Sequence, residues 1–299
     1  MPKEISIDIK WIDVSASGSR TRVPMSVEGR APMYFTVDAA AKEFPTAFAL
    51  SIRKSGSSIF NNIVTAIARA SGRTVVDIPA TAFENNIPYP LWNDPSNLPG
   101  LVWRGNIYVG FRDAPTAIFN DRVFQQATKL LLVRDPRDIL VSEFFSNAYS
   151  HSLPKKDSNA SVVAKERKAA LQSDIETYVL GRIEALNDTI RRYQPLLNDE
   201  RLTVLRYEDV IFEKASWMSQ IADAFELDLT EQLIKDILGW ADVRPETENP
   251  TNFIRRVTPG DYLEKLSSEV VARLEDGLDN VWWNLGYMRS KVRLPRSEL

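Results

Sequence analysis

Residues 47–67, AFALSIRKSGSSIFNNIVTAI, join a short apolar run to a polar, glycine-containing turn and a second apolar pattern. The apolar run at 47–52 predicts a buried β-strand. After the turn at 53–58, apolar side chains recur at helical spacing: Phe60, Ile63, Val64 and Ile67. Gly72 is suited to ending that helix. The stretch therefore predicts a strand, a tight turn and a helix in succession.

The alternation of strands and helices continues along the chain. Further β-type runs occur at 74–78, 106–111, 129–133 and 202–205, and residues 162–193 are charged and largely helical in pattern. Strands separated by helices predict right-handed crossovers, and so an α/β fold with a central parallel sheet and helices on both faces. Residues 244–261, rich in Pro, Asn and Thr, predict a surface loop.

The N-terminal region has a different pattern. Short alternating runs surround a Ser-Gly-Ser turn at 17–19, with these apolar members: Ile5, Ile7, Ile9 and Trp11 before it, and Met33, Phe35 and Val37 after it. This pattern predicts a peripheral β-hairpin. We therefore expect residues 1–42 to form a β extension packed on a main domain of residues 43–299.

Composition narrows the possible functions. The 299 residues carry a net charge of −3, contain no cysteine and contain one histidine. Disulfides, thiolate metal sites, a cysteine nucleophile and a multi-histidine metal site are excluded. The charge balance does not favour a nucleic-acid partner. No run approaches the roughly 20 apolar residues of a membrane span, and the N-terminus lacks the apolar core of a signal peptide, so we expect a cytoplasmic enzyme.

The turn after the first buried strand has the chemistry of an anion site. It contains Arg53, Lys54, Ser55, Gly56, Ser57 and Ser58. Backbone N–H groups, hydroxyls and an ammonium would meet at a helix N-terminus, and the glycine permits a tight turn. Lys54 precedes the glycine, whereas in the common nucleotide-triphosphate loop the lysine follows the glycines. The alternative interpretation is an ordinary polar linker.

A second strand-to-helix junction lies in residues 131–142, LLVRDPRDILVS. Asp135 is suited to cap a helix and Pro136 to occupy its first position. Arg134 would then lie beside the helix N-terminus, with Ser142 about two turns inside the helix. An arginine and a hydroxyl in this arrangement can bind a phosphate. The alternative is a well-capped helix with a solvated cluster of charges.

These two segments resemble motifs of the sulfotransferase family. The turn is similar to that family's Lys-Ser-Gly-Thr-Thr-Trp element, and residues 134–142 resemble Arg-Asn/Asp-Pro-Lys/Arg-Asp with a serine eight positions after the arginine. Leu205-Arg206-Tyr207-Glu208-Asp209 resembles the Tyr-Glu-Asp element, and residues 253–262 resemble the loop Phe-Ile/Met-Arg-Lys-Gly-x-x-Gly-Asp-Trp. The motifs occur in the family's order between about residues 45 and 287.

The resemblance implies a P-loop-like α/β fold and a donor, 3′-phosphoadenosine 5′-phosphosulfate (PAPS), that leaves as 3′-phosphoadenosine 5′-phosphate (PAP). It implies transfer of the sulfuryl group, without a metal, to a hydroxyl or amine of a small-molecule or glycan acceptor. The implied donor-binding residues are the loop residues Arg53, Lys54, Ser55, Gly56, Ser57 and Ser58, then Arg134, Ser142, Arg255 and Arg256 for the 3′-phosphate, and Tyr207 near the adenine. Ile59 and Val257 depart from the motifs, where the family has tryptophan and glycine.

Catalysis requires stabilisation of the leaving phosphate and usually a base. Lys54 is expected to stabilise the bridging oxygen. Alignment on Pro115 places Asp113 where many family members have a histidine base, and Arg112 where they have a lysine that neutralises the sulfuryl oxygens. The histidine of this chain, His151, is the second candidate for the base. A residue not yet identified, or an acceptor acidic enough to need no base, remains an alternative.

Two other functions are compatible with parts of the pattern. A small-molecule kinase would show the glycine-before-lysine loop and an acidic residue for Mg²⁺, and that loop is absent. An inactive nucleotide-binding module is the second alternative, against which the presence of Lys54 argues. An aromatic group could line the acceptor site or anchor loops: Phe83, Tyr89, Trp92 and Trp103. A homodimer is compatible with all of these expectations.

Overall fold

A computed structural model describes residues 20–25, 33–38, 40, 44–85, 87, 89–150 and 157–290 of the chain. Its strands are β1 (Arg20–Met25), β2 (Met33–Asp38), β3 (Ala47–Ser51), β4 (Val75–Val76), β5 (Ile107–Phe111), β6 (Thr128–Val133) and β7 (Leu202–Arg206). The last five form one sheet in the order β4-β5-β3-β6-β7, and every neighbouring pair in it is parallel. The predicted parallel α/β sheet is therefore confirmed.

The helices that connect and follow these strands are α1 (Ser57–Ala70), α2 (Ile78–Glu84), α3 (Tyr89–Trp92), α4 (Arg122–Gln126), α5 (Pro136–Phe145), α6 (Asp157–Leu171), α7 (Ile175–Gly181), α8 (Ile183–Tyr193), α9 (Tyr207–Val210), α10 (Lys214–Phe225), α11 (Glu231–Ala241), α12 (Tyr262–Lys265), α13 (Ser268–Gly277) and α14 (Asn280–Asn284). Short 3₁₀ turns occupy Leu98–Leu101, Thr116–Ile118 and Gln194–Leu196, and a π-helical turn, Ser146–Ser150, continues α5. No described helix is long and apolar enough to cross a membrane.

The central strands are buried on both sides because their side chains alternate between two cores. In β3, Phe48 and Leu50 join the core built with α5, α8 and α13, while Ala47 and Ala49 join the core built with α1, α10 and α11. Such strands read as continuous apolar runs, which is why β3 and β6 were predictable from the sequence. Helices cover both faces of the sheet, as predicted.

The N-terminal hairpin differs in detail from the prediction. Strands β1 and β2 pair antiparallel, with Arg20 opposite Asp38 and Met25 opposite Met33. Phe35 and Val37 of β2 are buried in the same core as Phe48. The predicted second strand is therefore present, but its partner begins only at Arg20. The predicted first strand at 5–11 and the turn at 17–19 lie outside the described residues.

Capping residues fix the ends of the elements that matter for the site. Asp135 caps α5 by accepting a hydrogen bond from the Arg137 amide at 2.9 Å, as predicted. The strand predicted at 74–78 is shorter than expected, because Asp77 caps α2 and Pro79 occupies its first turn. The helical stretch predicted at 162–193 is divided among α6, α7 and α8.

Candidate functional site

The turn between β3 and α1 has two residues with left-handed backbone conformation, Lys54 with φ 67° and Gly56 with φ 86°. Gly56 is the N-cap of α1, and no side chain caps the helix there. The amides of the first turn of a helix have no intrahelical acceptor, so they are available to an anion. A left-handed lysine is unusual outside turns and functional sites, because its Cβ raises the energy of that conformation.

Ser55 gives independent evidence that this turn binds a ligand. Its side chain is fully buried, and its hydroxyl has no hydrogen-bond partner within the described residues. Leaving a buried hydroxyl unpaired costs free energy. A phosphate oxygen at the start of α1 would satisfy it together with the helix amides, so the residues present fit the phosphate end of a nucleotide.

Lys54 reaches across the site to the end of α5. Its ammonium donates a hydrogen bond of 2.6 Å to the hydroxyl of Ser146, the first residue of the π-helical turn. Burial and, after it, the nearby charge of Arg53 lower the pKa of Lys54 to about 8, while Glu143 acts in the opposite direction. The group is therefore charged at neutral pH but is close to titrating.

Arg134 lies against the same turn. Its guanidinium is 3.4 Å from the carbonyl oxygen of Lys54 and forms a 3.2 Å ion pair with Asp138. It also stacks over the ring of Tyr207, 4.6 Å from the ring centroid. The side chain is buried, and its Nε lacks a hydrogen-bond partner in the described part of the chain. Among the described residues, Arg134 thus has a donor without an acceptor next to the turn between β3 and α1.

Tyr207 connects the turn to the loop at 244–261, between α11 and α12, which we call the C-terminal loop. A Cβ added to Gly56 would lie 2.9 Å from two carbons of the Tyr207 ring, so the ring packs directly on the glycine. The Tyr207 hydroxyl donates a 2.8 Å hydrogen bond to the carbonyl of Val257. Through Tyr207, contacts therefore join Gly56 to Val257, which lies 201 positions later in the sequence.

Asp138 anchors the other end of this loop. Its carboxylate is completely buried and accepts hydrogen bonds from the amides of Gly260 at 2.8 Å and Tyr262 at 3.0 Å. The same carboxylate also pairs with Arg134. One hydrogen-bonded network therefore holds the C-terminal loop to α5. The predicted surface loop at 244–261 is held by contacts at both Val257 and Gly260.

We expect Asp138→Asn to lower the free energy of unfolding by about 2–4 kcal/mol, because it removes the charge that balances buried Arg134. Urea unfolding measures this change. Asp209→Asn is the matched control, since Asp209 forms an exposed ion pair with Arg206 and its loss should cost less than about 1 kcal/mol. Equal effects of the two substitutions would contradict a special role for the Asp138 network.

Among the remaining predicted phosphate ligands, the two arginines of the C-terminal loop are paired with carboxylates. Arg255 forms ion pairs with Glu248 and Asp261 and lies over the ring of Phe145 at 4.1 Å. Arg256 is bound by Glu264 through two nitrogens. Ser142 is half-buried on α5. A phosphate would have to compete with these carboxylates for both arginines. The motif spacing in the sequence does not reveal this competition.

The residues predicted for catalysis lie in different surroundings. Arg112, just after β5, donates a 3.4 Å hydrogen bond to the hydroxyl of Ser58 and so lies beside the anion-binding turn. Asp113 forms a 2.8 Å ion pair with Arg192 of α8. His151 lies outside the described residues. Among the described residues, no group of three or more His, Asp or Glu side chains is arranged to hold a metal ion.

Three of the four aromatic residues considered for an acceptor wall are anchored in the protein. Tyr89 donates a hydrogen bond to the Ala114 carbonyl at 2.9 Å, Trp103 donates one to the Gly100 carbonyl at 2.9 Å, and Trp92 is buried. Phe83 is 55% exposed. The geometry supports the loop-anchor alternative for the first three.

Two polar residues near the site, Ser146 and Asp77, were not predicted from the sequence. Ser146 follows Ser142 by one helical turn and contacts Lys54, but an ordinary serine gives no signal of this. Asp77 follows β4 directly, so it lies at the carboxyl edge of the parallel sheet, where ligands of open α/β folds bind. An acidic residue directly after a β-branched strand is a usable signal for such a position.

Comparison with known proteins was made by family, by sequence and by structure. A family model described as "Sulfotransferase domain" matches residues 45–279. No curated protein matches the sequence. The mouse sulfotransferase SULT7A1, solved in complex with PAP, has a TM-score of 0.51 at 14% identity, with coverage of 83% of this chain and 90% of that chain. It shows a similar fold.

Two structures of retinol dehydratase are also similar. The one in complex with androsterone and inactive cofactor PAP has a TM-score of 0.47 at 17% identity, covering 93% of this chain and 92% of that chain. The one in complex with retinol and PAP has a TM-score of 0.47 at 15% identity, covering 92% of each chain.

Proposed function

The chain belongs to the sulfotransferase domain family, and on that premise we propose that it transfers the sulfuryl group of PAPS to a hydroxyl or amine of a small-molecule or glycan acceptor. The observation that carries this proposal is the turn between β3 and α1. There a helix N-terminus without a side-chain cap, a buried serine hydroxyl without a partner among the described residues, and a lysine of lowered pKa adjoin one another. This set of groups suits a 5′-phosphosulfate.

Donor binding is assigned to the groups that surround this turn. The amides at the start of α1, with the hydroxyls of Ser55, Ser57 and Ser58, would hold the 5′-phosphate, and Arg53 would add charge at the edge of the turn. Arg134 and Ser142 would hold the 3′-phosphate. Tyr207 would lie near the adenine, and Arg255 and Arg256 would turn from their carboxylate partners toward the 3′-phosphate. The mouse protein of similar fold, whose complex contains PAP, supports this choice of nucleotide.

Lys54 has the central chemical role in this proposal. When bound, the donor supplies a sulfuryl group whose bridging oxygen gains negative charge as the bond to sulfur breaks. A partly buried ammonium at that oxygen stabilises the charge without the reorganisation that water would need. Ser146 holds the ammonium in place from the end of α5. Arg112, beside Ser58, is suited to neutralise the sulfuryl oxygens.

We expect kcat/KM for PAPS to fall about tenfold per pH unit above a pH of about 8, because Lys54 of the free enzyme loses its proton there. The pH profile of PAP formation measures this limb. Lys54→Arg keeps a charge at all these pH values and should lack the limb, although its rate is lower. A wild-type profile that stays flat to about pH 10, where ordinary lysines titrate, would contradict the role of Lys54.

Thermal unfolding with PAP, and separately with Mg²⁺ and ATP, tests the proposed function. PAP at about 100 times its dissociation constant should stabilise the chain by roughly 2.7 kcal/mol, an increase in Tm of several degrees. Stabilisation only by Mg²⁺ with ATP would instead indicate a kinase. An increase in Tm with PAP but no turnover of PAPS would indicate an inactive nucleotide-binding module.

A further inference from the structure

Asp77 is an acidic residue at the carboxyl edge of the sheet that the proposed donor site does not use. It follows β4 directly and caps α2, with Oδ1 accepting a hydrogen bond of 2.8 Å from the amide of Ala80. Its other carboxylate oxygen, Oδ2, accepts no hydrogen bond from the described residues. One oxygen is therefore fixed in position while the second is available.

The neighbouring strand is shaped around this carboxylate. Gly110 in β5 has φ 87°, and the register between β3 and β5 shifts there. A Cβ added to Gly110 would lie 2.1 Å from Oδ1 and 2.7 Å from Oδ2 of Asp77. Any residue other than glycine would displace the carboxylate. The bulge thus makes room for the Asp77 carboxylate beside the end of β5. Arg112 follows β5 directly.

Arg112 links Asp77 to the anion-binding turn. Its guanidinium donates a hydrogen bond to Ser58, the second residue of α1. The positive charge of Arg112 also lowers the pKa of both Lys54 and Asp77. In the parallel order β4-β5-β3, Asp77 follows β4, Arg112 follows β5 and Lys54 lies in the turn after β3. The acidic residue and the lysine therefore lie on either side of the arginine at one edge of the sheet. This is the relation needed between an acceptor's base and a donor's leaving group.

The surroundings of Asp77 suit proton transfer. Burial is the largest influence and raises the pKa of Asp77 from its ordinary value, while the Ala80 amide and Arg112 act in the opposite direction and Glu84 adds to the increase. Asp113 differs, because Arg192 of α8 forms a 2.8 Å ion pair with it.

We propose that Asp77, rather than Asp113, is the general base of this enzyme. The inference rests on the proposed sulfotransferase function. In the step, the acceptor O–H bond breaks and its proton passes to the free oxygen of Asp77. The acceptor oxygen forms a bond to sulfur. The bond between sulfur and the 5′-phosphate oxygen breaks, and its electron pair stays on PAP, next to the Lys54 ammonium.

The test compares Asp77→Asn with Asp113→Asn. Asparagine is as good an N-cap as aspartate, so α2 should be retained in the first variant. Water is the acceptor in the assay, and the release of PAP from PAPS is followed by chromatography. We expect Asp77→Asn to lower kcat about 10²–10⁴-fold, with the dissociation constant for PAP changed by less than about threefold. Asp113→Asn should stay within about threefold of the wild type, as for a half-exposed ion pair.

The pH profile separates a base from a structural residue. Protonation of Asp77 should reduce wild-type activity as pH falls through its raised pKa, and Asp77→Asn should lack this acidic limb. An unchanged kcat in Asp77→Asn, a retained acidic limb, or the large loss in Asp113→Asn would overturn the assignment. If the wild type releases no PAP from PAPS with water or with any phenol, alcohol, amine or sugar acceptor, the proposed function itself fails. If the wild type and Asp77→Asn both release PAP at equal rates, only the role of Asp77 fails.

Discussion

Lys54→Met is expected to lower kcat for sulfuryl transfer about 10²–10³-fold, the usual effect of removing one group that stabilises a developing oxyanion. Methionine keeps the length and burial of the side chain but has no charge. Because the ammonium is needed most when the bridging oxygen becomes negative, KM for PAPS should change much less than kcat. Steady-state rates of PAP formation measure both parameters.

Ser146→Ala is the matched control for this prediction. It removes the hydroxyl that holds the Lys54 ammonium at 2.6 Å but leaves the charge in the site. Its effect on kcat should be less than about tenfold, the size of one neutral hydrogen bond. If Lys54→Met retained wild-type kcat, or if it and Ser146→Ala gave equal losses, the lysine would not be the group that stabilises the leaving phosphate.

Gly56→Ala is expected to lower the free energy of unfolding by roughly 2–5 kcal/mol and to weaken PAP binding more than tenfold. Alanine in a left-handed conformation costs about 1–2 kcal/mol, and overpacking against the Tyr207 ring 2.9 Å away adds about 1–3 kcal/mol. Relief of the clash would move the turn that holds the 5′-phosphate. Urea unfolding and calorimetric titration with PAP measure the two effects.

Gly72 provides the control for this substitution. It also has a positive φ, 68°, but a Cβ there would meet nothing within 4 Å. Gly72→Ala should therefore show only the backbone cost and leave PAP affinity unchanged. Equal destabilisation by the two substitutions, with PAP affinity retained in Gly56→Ala, would show that Tyr207 does not constrain the turn.

Local chemistry explains why much of the fold was predictable. Strand β3 is buried on both sides and therefore appears as an uninterrupted apolar run. Asp135 and Pro136 mark the start of α5 through hydrogen bonding and backbone geometry that depend on only a few neighbouring residues. The partner strand of the N-terminal hairpin was not predicted, because pairing depends on contacts that a single strand's pattern does not contain.

Long-range ion pairs explain why the site was harder to predict than the fold. Asp113 was selected from its distance to Pro115, but Arg192, which pairs with it, is 79 positions away. In the same way, the pairing of Arg256 with Glu264 depends on how the C-terminal loop folds. The closeness of Gly110 to the Asp77 carboxylate likewise becomes apparent only in the folded chain.

The most direct test of sulfuryl transfer uses PAPS labelled in the sulfuryl group and a panel of phenols, alcohols, amines and sugars. The account predicts that label passes to at least one acceptor, that PAP forms in equal amount, and that Lys54→Met reduces both together. Absence of labelled product and of PAP with every acceptor and with water, from a chain that instead hydrolyses ATP with Mg²⁺, would contradict it.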